Sequence, residues 1–373
     1  MVQAGGTMRQ ETRGFFSKED TLAVKGIAII LMFYHHCFLS AKRFKGYEVS
    51  FFPLPETMGI ALSHFCKICV AMFVFLSAYG MTVTIKHAFA EEEVSAGRWE
   101  EFVMKRYLKL MSGYVFCFVT AVAASALLRP EMLKIYTCGW KGLWTFLLDL
   151  SGLAYFFGAD TLVNTWWYMG LAIAMIFAMP LLWQLYKKLG GIFVILALLM
   201  PPFFGIAQND YGRYLFCIAI GIIAADRDLL VRSAEAVFFK NKKVNFGFKF
   251  LAGTALCVLC FFFRRMSGAA DYYFLLDGVI SFAVIAFCNA FVIHIKGLRQ
   301  VLMFLGKHSM NMFLLHTLIR VKFFRDFTYS FQSAWLILLV LLIDSLLVSI
   351  VVEWLKKVTG YQKLTERVYY GKR

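Results

Sequence analysis

Eleven apolar runs separated by short charged loops set the limits on what this 373-residue chain can become. They fall at 22–40, 64–85, 105–128, 142–158, 162–185, 191–207, 211–226, 248–263, 274–295, 301–319 and 334–354. A helix needs roughly 20 apolar residues to cross a bilayer, so runs of this kind predict an all-α, polytopic membrane helix bundle. Composition excludes a soluble globular chain: 60% of the residues are hydrophobic, against roughly 45–50% apolar content in soluble domains. No linker rich in Pro, Ser or Gly divides the sequence. One membrane domain is expected over 21–355, between a polar tail at 1–20 and a basic tail at 356–373. Residues 1–17 carry no signal-peptide core, so the first run is expected to remain as an anchor.

The run at 142–158 is the weakest, being short and carrying Asp149 between Lys141 and Asp160. Loop charge decides whether it crosses, because Lys and Arg in short loops prefer the cytoplasmic side. Arg9, Arg13, Lys18 and Lys25 place the N-terminus inside. If 142–158 does not cross, Lys187–Lys188, the loop with Lys240, Lys242 and Lys243, Lys296 with Arg299, and Lys356–Lys357 all fall inside as well. If it does cross, every one of them moves outside. The expectation is therefore about ten transmembrane helices plus one short re-entrant or interfacial helix, in the cell membrane, with both termini cytoplasmic. Three basic clusters run against the rule: Lys42-Arg43-Lys45, Arg264–Arg265 and Arg320 to Arg325. The net charge of +16 reads as topology, with membrane lipids as the partner. No nucleic-acid motif accompanies it.

Within the first run, Lys25 stands near the mouth and His35–His36 stand deep inside. Eleven residues of helix are roughly 16 Å of rise and return within about 20° of the same face, so Lys25 and His36 look into one groove. Ionisable groups in so apolar a segment line a polar cavity rather than lipid. Arg106 and Lys109, three apart at the entry of the third run, present two cations on one face. His308, Ser309, Asn311 and His316 make the 301–319 run unusually polar, with His308, Asn311 and His316 on one broad face. Asp277 and Asp344 are intramembrane carboxylates, of the kind that mark ion pathways. Cys66-x-x-Cys69 and Cys257-x-x-Cys260 lack a second ligand pair and read as helix packing, with no metal expected.

The stretch from Lys25 to His36 resembles the opening helix of the membrane acyltransferase-3 family, which usually has Arg where Lys25 stands. Phe73-Val-Phe-Leu-Ser77-Ala-Tyr-Gly80 is similar to the family's second-helix motif, with Ala78 where Gly is usual. Arg106 and Lys109 resemble its Arg-x-x-Arg motif, and Asn164-Thr-Trp166-Trp167-Tyr and Gly306 to His316 are similar to two later segments. The resemblance implies ten helices and an integral-membrane, acyl-CoA-dependent O-acyltransferase. Its donor would be acetyl-CoA or another acyl-CoA, a substrate rather than a permanently bound cofactor, and its acceptor a cell-surface or extracellular glycan or glycolipid.

Attack by a sugar hydroxyl needs a base, and an uncharged imidazole holds a lone pair for that proton. His36 is the first choice, with His35 as a supporting residue pointing about 100° away. Lys25, Arg106 and Lys109 are candidates for the phosphates of coenzyme A, since Arg makes bidentate contacts to such groups. Trp166, Asn164, His308, Asn311 and His316 are candidates for the acceptor path. The rival reading is a transporter or flippase for a sugar or anionic substrate, using the same cations with Asp277 and Asp344.

Overall fold

The first helix starts at a capping box. Ser17 Oγ accepts the Asp20 amide at 3.1 Å, and the Asp20 carboxylate accepts the Ser17 amide at 2.9 Å, so two amides at the helix start are satisfied reciprocally. The computed structural model describes residues 16–89, 95–137 and 139–370. From this cap runs α1 (Lys18–Phe38); α2 (Glu56–Cys66) and α3 (Ile68–Ala88) then meet at Lys67. Next come α4 (Ala96–Leu128), α5 (Gly139–Leu150) and α6 (Trp167–Leu189). Gly190, at φ +56°, turns the chain directly into α7 (Gly191–Phe203), a backbone conformation that only glycine adopts freely. The remainder is α8 (Leu215–Asp226), α9 (Leu229–Glu235), α10 (Lys242–Phe263), α11 (Tyr273–Phe287), α12 (Leu298–Thr317), α13 (Arg325–Tyr329), α14 (Ala334–Val358) and α15 (Tyr361–Tyr370). Among the described residues the only β pairing is an isolated bridge between Ser50 and Ser333.

Among the described residues seven helical stretches are long and apolar enough to cross a membrane: 18–38, 56–88, 96–128, 164–189, 242–263, 269–292 and 334–358. The other three runs expected to cross are of a different kind. α7 and α8 have 13 and 12 residues, while α12 has 20 residues but carries Lys307, His308, Ser309, Asn311 and His316. Length and hydropathy together therefore do not establish the count of ten. α5, at 12 residues, spans about 18 Å, short of a hydrocarbon core of roughly 30 Å.

α1 is the enclosed centre. Ala23, Val24, Ala28, Ile29, Phe33, Cys37 and Phe38 have no exposed surface, and α2, α3, α12 and α14 all pack on it. Its tightest neighbour is α12. A Cβ on Gly306 would collide with the Leu22 carbonyl, and one on Gly26 with the Leu302 carbonyl; bare glycines let the two backbones approach this closely. At one end Arg299 of α12 reaches Asp20 at 2.7 Å and Glu19 at 3.2 Å. At the other, His316 stacks on Phe33 with ring centroids 5.1 Å apart. The two helices thus run side by side in the same direction, and their register brings two imidazoles together. α10 lies at the periphery, with Cys260 its single buried residue.

Candidate active site

Three imidazoles meet at the far end of α1. The His36 ring lies 4.8 Å from His316 and 5.2 Å from His35, centroid to centroid. His35 Nδ1 is 2.9 Å from the Ser63 carbonyl. A carbonyl only accepts, so that nitrogen carries the hydrogen. Ser63 is held in turn, its hydroxyl donating to the carbonyls of Tyr34 and His35 at 3.2 and 3.1 Å. His316 Nδ1 donates likewise to the Phe313 carbonyl at 2.8 Å, leaving Nε2 to face the Thr317 hydroxyl at 3.2 Å. Two of the three rings thus have fixed tautomers. His36 is different: its ring nitrogens have no hydrogen-bond partner among the described residues, and the ring is half-buried because it faces open space.

That space consists of two cavities on either side of His36 along α1. The first, about 190 Å³, runs back along the helix to Lys25. Its walls are largely apolar, from Met32, Val70, Phe73, Leu110 and Phe313, with Ser77, Tyr168 and Ser309 as polar points, and Lys67 and His35 also border it. The second, about 540 Å³, lies beyond the end of α1 among the following loops. It is lined by Arg43, Asn164, Thr317, Arg320 and Lys322 with hydrophobic neighbours. His36, Thr165 and Trp167 border both.

A family model described as an acyltransferase domain matches residues 23–354. The chain belongs to the acyltransferase-3 family. It is accordingly a multi-pass membrane enzyme that transfers acyl groups. Neither a curated protein nor a solved structure matches it.

The acyltransferase-3 domain places the other candidate residues unevenly. Lys25 and His36 share the wall of the smaller cavity. Arg106 and Lys109 do not line it: Arg106 donates to the Thr84 hydroxyl and lies over the Phe102 ring at 5.7 Å, and Lys109 is exposed. Both still stand close enough for their charges to act on Lys25. Asn164 borders the larger cavity, whereas Trp166 borders neither. The Trp166 indole is buried between Tyr114 and Phe118 and donates its N–H to the Leu314 carbonyl at 2.9 Å. Trp167, one residue on, carries the ring that faces both cavities.

The broad polar face of α12 divides. His308 pairs with Ser349 at 2.8 Å, and Asn311 donates to Ser349 and Glu353 at 3.1 and 2.8 Å, so both turn to α14. His316, about 80° round from His308 on an ideal helix, turns to α1 instead. Asp277 is equally committed. Arg213 Nε donates to it at 2.7 Å, and Arg264 holds its other oxygen. The transport reading thereby loses one of its two intramembrane carboxylates.

Sequence reasoning missed Arg43, Arg320, Thr165 and Trp167. A signal for the two arginines existed: both belonged to clusters that broke the loop-charge rule. The loop bearing Asn164 and Thr165 is set by Asp149 of α5, which accepts from Tyr136 at 2.5 Å, Thr161 at 2.8 Å and the Leu162 amide at 2.8 Å. Burial pushes the Asp149 carboxyl above the usual carboxylate range, against the pull of these three donors.

Proposed function

We propose that this acyltransferase takes an acetyl group from acetyl-CoA and passes it to a hydroxyl of a cell-surface or extracellular glycan or glycolipid, with His36 as general base. The observation that carries this reading is that His36, the imidazole of the cluster with neither ring nitrogen bonded among the described residues, is the shared wall of two cavities on opposite sides of it. In this reading the Lys25 end faces the cytoplasm. Lys25, Arg106 and Lys109 receive the phosphates of coenzyme A, and the acyl-bearing arm extends along the narrow cavity over the roughly 16 Å that separates Lys25 from His36 on a helix.

The acceptor enters the wider cavity, past Asn164 and Trp167, and sets its hydroxyl against the imidazole. His36 takes the hydroxyl proton as the oxygen attacks the thioester carbonyl. The tetrahedral intermediate then collapses, the C–S bond breaks, and the thiolate recovers the proton from the imidazolium. His316 and His35 act on His36 by position: their rings wedge it from two sides while carbonyls hold their own tautomers.

The test is NMR of surface polysaccharide from cells expressing the wild type or His36→Ala, paired with acetyl-CoA consumption by membranes. Loss of a general base lowers rates by roughly 10²–10⁴-fold, so O-acetyl signals and acetyl-CoA consumption should both fall to background in the variant. Signals unchanged by the substitution would sink the proposal, and wild-type membranes that consume no acetyl-CoA would overturn acetyl-CoA as the donor.

A further inference from the structure

Among the described residues Arg320 has no counter-charge. It is 3% exposed, it sits in the π-helical stretch Leu318–Phe323 that continues α12, and its Nε–H finds no acceptor. Its Nη1 donates at 3.1 Å to the Tyr329 hydroxyl, which donates on to the Cys37 carbonyl at 3.1 Å. Those partners are neutral, and among the described residues no carboxylate lies within ion-pair distance. The other two buried arginines, Arg213 and Arg264, share Asp277. A guanidinium taken out of water without a paired anion is costly, and its retention calls for an anion that is not part of the chain.

The cavity has the character of a site for one. Arg320, Arg43 and Lys322 border it, and Glu131 is the single acid on its wall, itself 3.6 Å from Arg129. Burial, then the field of Arg320, presses the Arg43 guanidinium downward from its ordinary value, though arginine stays charged in proteins. Two like charges therefore face one space. The volume of about 540 Å³ falls within the range of sites that enclose small ligands. Turns of π geometry occur often at functional sites.

We propose that the wider cavity selects an acidic acceptor, with Arg320 and Arg43 binding an oxyanion of the glycan or glycolipid whose hydroxyl receives the acyl group at His36. This rests on the acceptor being a glycan or glycolipid and names its charge. The oxyanion is either a sugar carboxylate or the phosphate of a lipid-linked sugar. Once bound, it also offsets the Arg320 charge that stands next to the imidazolium formed during transfer.

The test is equilibrium binding to the full chain in nanodiscs, without acetyl-CoA. Three probes are compared: a glucuronic-acid disaccharide, a glucosyl alkyl phosphate, and the neutral disaccharide cellobiose. Charge-assisted hydrogen bonds predict that an anionic probe binds roughly tenfold to a hundredfold tighter than cellobiose, and which anion does so names the source. The preference should vanish in Arg320→Gln and shrink in Arg43→Gln, whose side chain is exposed and whose loss leaves the core intact. It should persist in His36→Ala, which separates this proposal from the role of the base. Equal or absent binding of all three probes by the wild type overturns the proposal, as does an acid preference that survives both arginine substitutions.

Discussion

Two pairs of arginines stand in contrast in this molecule, and they are built on opposite terms. Arg213 and Arg264 close on the two oxygens of Asp277, with the Tyr273 ring 4.7 and 4.3 Å from their guanidinium carbons. Both guanidiniums there face a carboxylate that the chain itself supplies. Arg320 and Arg43 border an open cavity, and Arg320 meets only the neutral hydroxyl of Tyr329. The first arrangement ties Asp277 of α11 to residues that flank α8 and α10. The second leaves charge facing a space beside His36. The contrast separates scaffold from site more sharply than burial does, because Arg264 and Arg320 are 4% and 3% exposed and so nearly equal by that measure.

The largest effect should come from breaking the answered group. Asp277→Asn leaves two buried guanidiniums without a counter-charge, and removing one partner of a buried ion group costs about 3–5 kcal/mol. The thermal midpoint in detergent should fall steeply and the yield of folded protein with it. Replacing all three residues together, by Asp277→Leu with Arg213→Met and Arg264→Met, should recover most of that loss, since a packed apolar substitute for a buried ion group is often neutral or better. A triple variant as unstable as Asp277→Asn would mean that the group does more than hold helices together.

The comparison also explains what the sequence disclosed and what it withheld. Helical spacing within α1 was enough to put Lys25 and His36 on one cavity wall, because one helix fixes both positions. The family resemblance rested on short contiguous motifs of the same kind. Partners far apart in the chain were not legible. Arg213 meets Asp277 across 64 residues, and Tyr329 meets Cys37 across 292, so Asp277 read as a free carboxylate and Arg320 as a topological anomaly. Adjacent residues were ambiguous for another reason. Trp166 ends a 3₁₀ turn and Trp167 begins α6, so periodicity had no basis for deciding which ring faces the cavities. On α12 the spacing of His308, Asn311 and His316 was read correctly as helical, but which neighbour each would meet depends on where α1 and α14 pack.

An intermediate effect is expected where α12 seats on α1, which sharpens the comparison by moving one group and sparing the other. Gly306→Ala forces a methyl into the Leu22 carbonyl, and overpacking of this kind costs about 1–3 kcal/mol. Separation of the two helices displaces His316 from His36 and shifts the turn that carries Arg320. Arg213, Arg264 and Asp277 lie on other elements. Transfer activity should therefore fall by more than the stability loss accounts for, and wild-type activity in Gly306→Ala would show that the α1–α12 register does not set the site.

The smallest change in stability should follow the substitution that looks most drastic on paper. Arg320→Gln removes a nearly fully buried charge, yet the native chain supplies that charge with one neutral hydrogen bond, to Tyr329, worth about 0.5–1.5 kcal/mol net. Against this stands relief from burying an unpaired guanidinium, so the thermal midpoint should move little in either direction. Arg264→Gln, at the same depth, withdraws a partner from Asp277 and should be clearly destabilising. Measured side by side in detergent, the two variants test whether a counter-charge in the chain, rather than depth, decides what a buried arginine contributes to folding. Equal losses would collapse the distinction between the two groups and assign Arg320 to the scaffold.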